Sequence, residues 1–215
     1  MSGSERMDAA SPHPLARQLI DRLSGRPGCR ILELGTGSGR NAAALLAAGF
    51  RVHSIDDDRE RTAAAKARCA VLGGTFATSS YAHISGRIAK CSAALSTHAL
   101  LHGTPSKAAH TLAAVRRVLE PSAPFFGTFG STRDARFGAG TNVEPFVFAP
   151  ERGEESGVAH AYYDRDRLDA LLSPTFVIEQ LEEIAVDEIV GTWAHASARG
   201  AVHWFAHLRA RPEGR

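Results

Sequence analysis

Cysteine is scarce in this chain: Cys29, Cys69 and Cys91 are the three among 215 residues, an odd number with no C-x-x-C spacing. That excludes a disulfide framework and a paired-cysteine redox motif, and it suits a reducing cytoplasm in which thiols pack as small hydrophobes. No apolar run approaches the roughly 18 residues of a membrane span, so no membrane partner is expected. The N-terminus is polar and lacks the apolar stretch of a signal peptide. Charge of one sign is missing too, since 25 Lys and Arg stand against 23 Asp and Glu. With 7% aromatic residues and neither a basic patch nor an aromatic platform, nucleic acid is not an expected partner. The length argues for a single domain over residues 1–215, because domains run about 100–200 residues.

What the chain does have is a glycine bend. Arg30-Ile31-Leu32-Glu33-Leu34 reads as a short apolar strand. Gly35-Thr36-Gly37-Ser38-Gly39 follows, and Arg40-Asn41 opens a helix. Glycines permit positive φ and let another molecule lie on the backbone. A helix starting just beyond them aims free N–H groups at whatever is bound, so a nucleotide-like ligand is implied. The dinucleotide fingerprint G-x-G-x-x-G would need glycine where Arg40 stands, which argues against a nucleotide-dependent oxidoreductase. A P-loop would need Gly-Lys-Ser/Thr, and none is present. Instead Glu33 lies two residues before Gly35, and a second strand, Arg51 to Ile55, ends at Asp56-Asp57-Asp58. An acid there can accept both hydroxyls of a ribose.

These residues resemble the class I (Rossmann-like) S-adenosylmethionine-dependent methyltransferases, with Glu33–Gly39 as their first motif and Asp56 as their ribose-binding acid. The resemblance implies an α/β fold: a doubly wound, mostly parallel seven-stranded sheet with a C-terminal antiparallel hairpin and helices on both faces. It implies S-adenosylmethionine as cofactor, with S-adenosylhomocysteine as product. The acceptor would be a nucleophilic N, O or S atom of a small molecule, and the protein a cytoplasmic monomer or homodimer. Cofactor-binding positions would be Glu33, Gly35, Thr36, Gly37, Gly39, Asn41, Asp56, Asp57, Ser80, Ser96 and Thr97. Two departures stand out. No acid follows the third strand, where Ser79-Ser80-Tyr81 stands, and Ser92 takes an acid's usual place in the fourth. They are the support for an alternative, a protein that binds the cofactor without transferring its methyl group.

The resemblance implies an N-terminal lid or helix segment over residues 1–28, and Leu15, Leu19 and Leu23 share one helical face there. His13 could face the pocket, although a solvent-exposed position is favoured. The strand Cys91–Leu95 leads into Ser96-Thr97-His98 at its carboxyl end, where open α/β sheets bind ligands. His98 and His102 are the catalytic candidates, His98 pointing to the transferring methyl. Thr104 and Pro105 cap the next helix. Residues 130–160 lack clear periodicity and are expected to form a substrate-rim loop. Arg133 there, with Arg136, would clamp an anionic acceptor. His160 and Tyr162 lie in a passage similar to the H-x-(F/Y)-(F/Y) of tellurite- and thiopurine-methyltransferase-like proteins. The closing hairpin is Phe176–Ala185 with Ala201–Leu208. Its connection carries Trp193 as a further acceptor candidate, and His203 reads as structural. His98 and His102 are four apart and would share a helical face, yet no Cys, Asp or Glu has complementary spacing, so no metal is expected.

Overall fold

Short apolar runs such as Ile31-Leu32 and Phe125-Phe126 contain no polar alternation, as strands covered on both faces require. A computed structural model describes residues 11–84, 88–187, 189 and 199–212. Strands β1 (Arg30–Leu34), β2 (Arg51–Asp56), β3 (Thr75–Thr78), β4 (Ala93–Ser96) and β5 (Pro124–Ser131) run parallel in the order β3-β2-β1-β4-β5. At the chain's end β9 (Phe176–Ala185) and β10 (Val202–Ala210) form an antiparallel pair, and β10 lies antiparallel on β5. The expected seven-stranded sheet with its closing hairpin is thus present.

Helices α1 (Pro14–Arg22), α2 (Arg40–Ala47), α3 (Arg59–Arg68), α4 (Pro105–Val118) and α5 (Arg165–Leu172) complete the layers. Successive strand side chains point to opposite faces, so neighbours in sequence enter different cores. Leu32 and Phe125 join Leu112, Val115, Leu168 and Leu172 on the α4–α5 face, whereas Ile31 and Phe126 join Leu15, Leu19 and Leu45 on the α1–α2 face. Each such fully buried side chain contributes about 1.5–3 kcal/mol. The helix starts follow their caps: Thr104 Oγ1 accepts from Lys107 N at 3.3 Å ahead of Pro105, and Asp164 Oδ1 accepts from Arg167 N at 2.8 Å. Strand order reverses between β1 and β4, which opens a crevice at their carboxyl ends.

The rim segment departs from the expected loop. Residues 130–160 contain a hairpin, β6 (Thr141–Glu144) with β7 (Val147–Ala149), and lead into β8 (His160–Tyr163). Two features hid them in sequence. Strands of three or four residues are too short to display a period, and every β6 residue is exposed. Strand β8 runs parallel to β5 through Gly130↔Tyr162 and Ser131↔Tyr163, on the edge that β4 occupies up to Ser96↔Gly127. The sheet therefore branches at the end of β5. Gly130 makes the branch possible, because a Cβ there would sit 2.6 Å from the Ala161 carbonyl oxygen.

Candidate active site

The three glycines at the crevice have positive φ (73° at Gly35, 51° at Gly37, 81° at Gly39), but their surroundings differ. A Cβ on Gly35 would collide with the Cβ of Ala99, and one on Gly39 would lie 2.9 Å from Ala65 Cα. Those two let elements pack closely. A Cβ on Gly37 would meet nothing within 4 Å, so its backbone borders open space. Beneath it Asp56 is 3% exposed, and its carboxylate accepts from Gly37 N at 2.8 Å and Asp58 N at 3.0 Å. A carboxylate offers about four lone-pair sites, so two remain for a ligand. Asp57 is exposed beside it.

Glu33 is buried under the same loop, where Oε2 accepts from Thr36 Oγ1 at 2.9 Å and Ser54 Oγ at 2.6 Å. Its Oε1 has no hydrogen-bond partner among the described residues, and neither has the buried Ser96 Oγ at the end of β4. Burial, only partly offset by the two hydroxyl donors, pushes Glu33 up to about 7. Buried polar groups normally find partners. Two orphaned oxygens at the ends of β1 and β4 therefore fit a polar ligand held there.

Asn41, at the start of α2, spans the crevice wall. Its Oδ1 accepts from His13 N at 2.8 Å and its Nδ2 donates to Thr97 Oγ1 at 2.9 Å. One amide thus ties the N-terminal helix to the end of β4. His13 is fully buried, not solvent-exposed as favoured from sequence, and its Nδ1 accepts from Leu15 N at the start of α1. Burial, then the nearby His98 and Arg40, hold His13 well below the ordinary imidazole range.

His98 leaves β4 at a positive φ of 59°, with its N–H donating to Thr128 Oγ1 at 2.8 Å. A left-handed non-glycine residue is a strained conformation that surrounding structure must enforce. The His98 ring lies between His13, at 5.4 Å, and His203, at 5.0 Å between centroids, both edge-on. His203 is thus more than a strand residue. It is 1% exposed, and burial followed by the Arg136 charge pushes it down to about 3. Its neighbour Asp134 is buried and saturated: Oδ1 accepts from Arg136 N and Nε, both at 2.9 Å, and Oδ2 from Arg136 Nη2 at 2.9 Å and Val202 N at 3.0 Å. Sequence reasoning missed Asp134, and weighed His13 and His203 lightly. Only the fold brings residues 13, 98, 134 and 203 together, and no local pattern announces them.

His98 and His102 do not share a helical face, because α4 begins only at Pro105. His102 pairs across a bridge with His160, in edge-on ring contact at 4.8 Å, and both rings meet Glu155. Hydrogen bonds with His102 and His160 hold the Glu155 carboxyl well below the usual carboxylate range. Tyr162 is buried against Phe137 and Phe148, and burial pushes its hydroxyl up to about 12. Tyr162 also lines a cavity of about 320 Å³ with Pro105, Phe146, Arg167 and Leu171, which no glycine-loop residue borders. Arg133 is drawn outward. It is 75% exposed and bonded to Glu183 at 2.9 Å, so the buried arginine of this region is Arg136 instead. Ser80 is exposed before a short 3-10 turn, Tyr81–His83. Trp193 lies outside the described residues.

Residues 31–122 match the family described as a methyltransferase domain. A protein-L-isoaspartate O-methyltransferase from Methylorubrum populi is 44% identical over 55 residues, which are 26% of each chain. The match thus spans about a quarter of that curated relative's length. A crystal structure of a SAM-dependent methyltransferase from Methanosarcina mazei superposes with a TM-score of 0.73 at 18% identity, covering 94% of this chain and 100% of that one. The Burkholderia thailandensis 1,6-didemethyltoxoflavin-N1-methyltransferase, solved with 1,6-didemethyltoxoflavin and S-adenosylhomocysteine, gives 0.70 at 19% identity over 93% of this chain and 77% of that one. Residues 31–122 are thus similar to a methyltransferase domain, and the chain shares the Rossmann-like fold of these SAM-dependent methyltransferase structures.

Proposed function

We propose that this protein transfers a methyl group from S-adenosylmethionine to a nucleophilic N, O or S atom of a small molecule. The observation that carries the reading is the crevice at Gly37, where bare backbone borders open space above the buried Asp56 carboxylate. The methyltransferase match of residues 31–122 contains Glu33, Gly37, Asp56 and Ser96. When bound there, the cofactor supplies an electrophilic methyl on a sulfonium, open to in-line displacement by the acceptor, with S-adenosylhomocysteine as product. Asp56 has the free lone pairs to accept ribose hydroxyls. Glu33 Oε1 and Ser96 Oγ are the orphaned oxygens suited to the polar amino-acid end.

On the acceptor side the chain's own residues position and desolvate. His98, fixed by Thr128 and flanked by His13 and His203, borders the reacting centre. His13 and His203 are held far below neutrality, so they are uncharged walls that repel no sulfonium. A group titrating near 3 is a weak base at pH 7, and alignment with water exclusion carries the rate. His160 and Tyr162 lie on the same rim, and their tellurite- or thiopurine-methyltransferase-like passage belongs to this proposal. The free thiols Cys29, Cys69 and Cys91 accord with a reducing cytoplasm. Among the described residues no helix is long and apolar enough to cross a membrane.

Titration calorimetry with S-adenosylhomocysteine tests the cofactor assignment. Asp56→Ala should lower affinity about 10–100-fold, the worth of hydrogen bonds to a charged group, while circular dichroism stays unchanged. Equal affinity in the variant would reject the ribose role, and NAD binding without S-adenosylmethionine binding would reject the reading. Incorporation of labelled methyl from S-adenosylmethionine into a cell extract, resolved by mass, would identify the acceptor.

A further inference from the structure

Three side chains outside the crevice converge on one point. His102 Nε2 lies 3.2 Å from Glu155 Oε1, and His160 Nε2 lies 3.1 Å from Glu155 Oε2. One ligand atom from each residue falls within 4.8 Å of the others. The backbone builds this meeting. Ala161 N donates to Leu101 O at 2.8 Å and Gly103 N to Ala159 O at 2.7 Å, which sets His102 directly opposite His160. Directly opposed residues of an antiparallel bridge project to the same face. The turn Glu155–Val158, closed by Val158 N to Glu155 O at 3.0 Å, carries the carboxylate over them.

The tautomer of His160 decides what the cluster can hold. Its Nδ1 lies 2.8 Å from the Val158 carbonyl oxygen. A carbonyl only accepts, so Nδ1 carries the hydrogen. In the neutral ring the Nε2 lone pair then faces a carboxylate oxygen, acceptor against acceptor, with the ring only 3% exposed. A second proton or a metal ion on Nε2 resolves this conflict, the proton by making Nε2 a donor to Glu155, the ion by taking both lone pairs. Donation from Nδ1 to a backbone carbonyl is also how metal-ligating histidines are oriented.

We propose that His102 Nε2, His160 Nε2 and the Glu155 carboxylate bind one divalent transition-metal ion of the zinc class. Ligand atoms at about 2.0–2.2 Å from a tetrahedral ion lie about 3.3–3.6 Å from one another. The two His–Glu separations of 3.2 and 3.1 Å are close to that, and the three ligand atoms, within 4.8 Å of one another, would draw in slightly around the ion. Two imidazoles and a carboxylate suit zinc and its first-row neighbours, and the absence of thiolate from the set disfavours soft ions. His160 closes the inner side, while His102 and Glu155 are 28% and 43% exposed, which leaves a coordination position toward solvent. Three protein ligands with one exchangeable position is the arrangement of catalytic zinc sites. His203, in ring contact with His98, feels the charges of His160 and Glu155, so the ion would sit on the rim of the crevice. Its open position would take an oxygen, nitrogen or sulfur of the acceptor, a role that rests on the methyl-transfer reading.

The test is titration of chelator-treated protein with Zn²⁺ by calorimetry and with Co²⁺ by visible absorption. One ion per chain is expected, with d–d bands of a low-coordinate Co²⁺ site and a raised thermal midpoint under Zn²⁺. His102→Ala and Glu155→Gln should each weaken binding at least ~100-fold, beyond what an outer partner's loss costs, and abolish the thermal shift. Both residues are partly exposed, and unchanged S-adenosylhomocysteine affinity would certify their fold. No stoichiometric uptake, or uptake that survives both substitutions, overturns the site. Zinc binding without cofactor binding would leave this site standing and bring down the methyl-transfer reading.

Discussion

The two sides of the crevice are built on opposite plans. On the side proposed for the cofactor, Glu33, Gly35, Gly37, Gly39 and Asp56 come from 24 consecutive residues, 33–56, and the hydrogen bonds of their carboxylates are with backbone and hydroxyl groups of residues 36–58. On the side proposed for the acceptor, His13, His98, Asp134, Glu155, His160 and His203 come from the whole length of the chain. Their contacts are ring to ring and charge to charge. A contiguous motif positions its ligand through the dihedrals of one turn. A dispersed cluster depends on every element being docked first. The acceptor side should therefore lose more when one buried member is removed, and the cofactor side should be sensitive to shape.

Asp134→Ala is the sharpest way to break the comparison. It removes the carboxylate that makes four buried hydrogen bonds and the ion pair with Arg136, at a cost of about 3–5 kcal/mol. Urea denaturation checks it, and a loss below 1 kcal/mol would contradict the dependence on docking. Next come the glycines. Gly35→Ala meets Ala99 as well as an unfavourable φ and should cost about 2–5 kcal/mol, whereas Gly37→Ala meets only the dihedral and should cost about 1–2. Calorimetric cofactor affinity should fall in Gly37→Ala even though its fold survives, and equal stability of the two variants would refute the division.

Glu33 offers a pH test on the cofactor side. An acid whose folded value rises from 4.5 to about 7 binds its proton more tightly when folded. Its contribution to stability is therefore present below about 4.5 and lost as pH climbs toward 7. Relative to Glu33→Gln, the parent should lose up to about 3 kcal/mol between those limits. A pH-independent difference in unfolding free energy would overturn the assignment. The smallest effect belongs to Arg133→Ala. Its exposed pair with Glu183 should be worth under about 1 kcal/mol, and KM for the acceptor should not move. A raised KM would restore the anionic clamp that the sequence suggested.

The first two parallel strands, the helix cap at Thr104 and the glycine turn were legible because each is written within a few neighbouring residues. The acceptor side was not. His98 and His102 look like a helical pair by spacing, yet the chain between them turns to meet β8 and sends the rings to different partners. Glu155 stands 53 residues after His102, so no spacing rule could join them. Arg133 and Arg136 are alike as sequence. Only the fold makes one a surface residue and the other Asp134's partner.

The branch at the end of β5 has an evolutionary consequence. The excursion from residue 132 to 163 pairs with that strand through only two residue pairs, Gly130↔Tyr162 and Ser131↔Tyr163. Its other anchors are local, among them the bridge of His160 to His102 and the bond of Val202 N to Asp134, so the stretch between them can be exchanged or lengthened while β5 keeps β4 and β10 on its remaining length. It behaves as a cassette. Under the methyl-transfer reading, replacing that one insert would change the acceptor without touching the turn from residue 33 to 56.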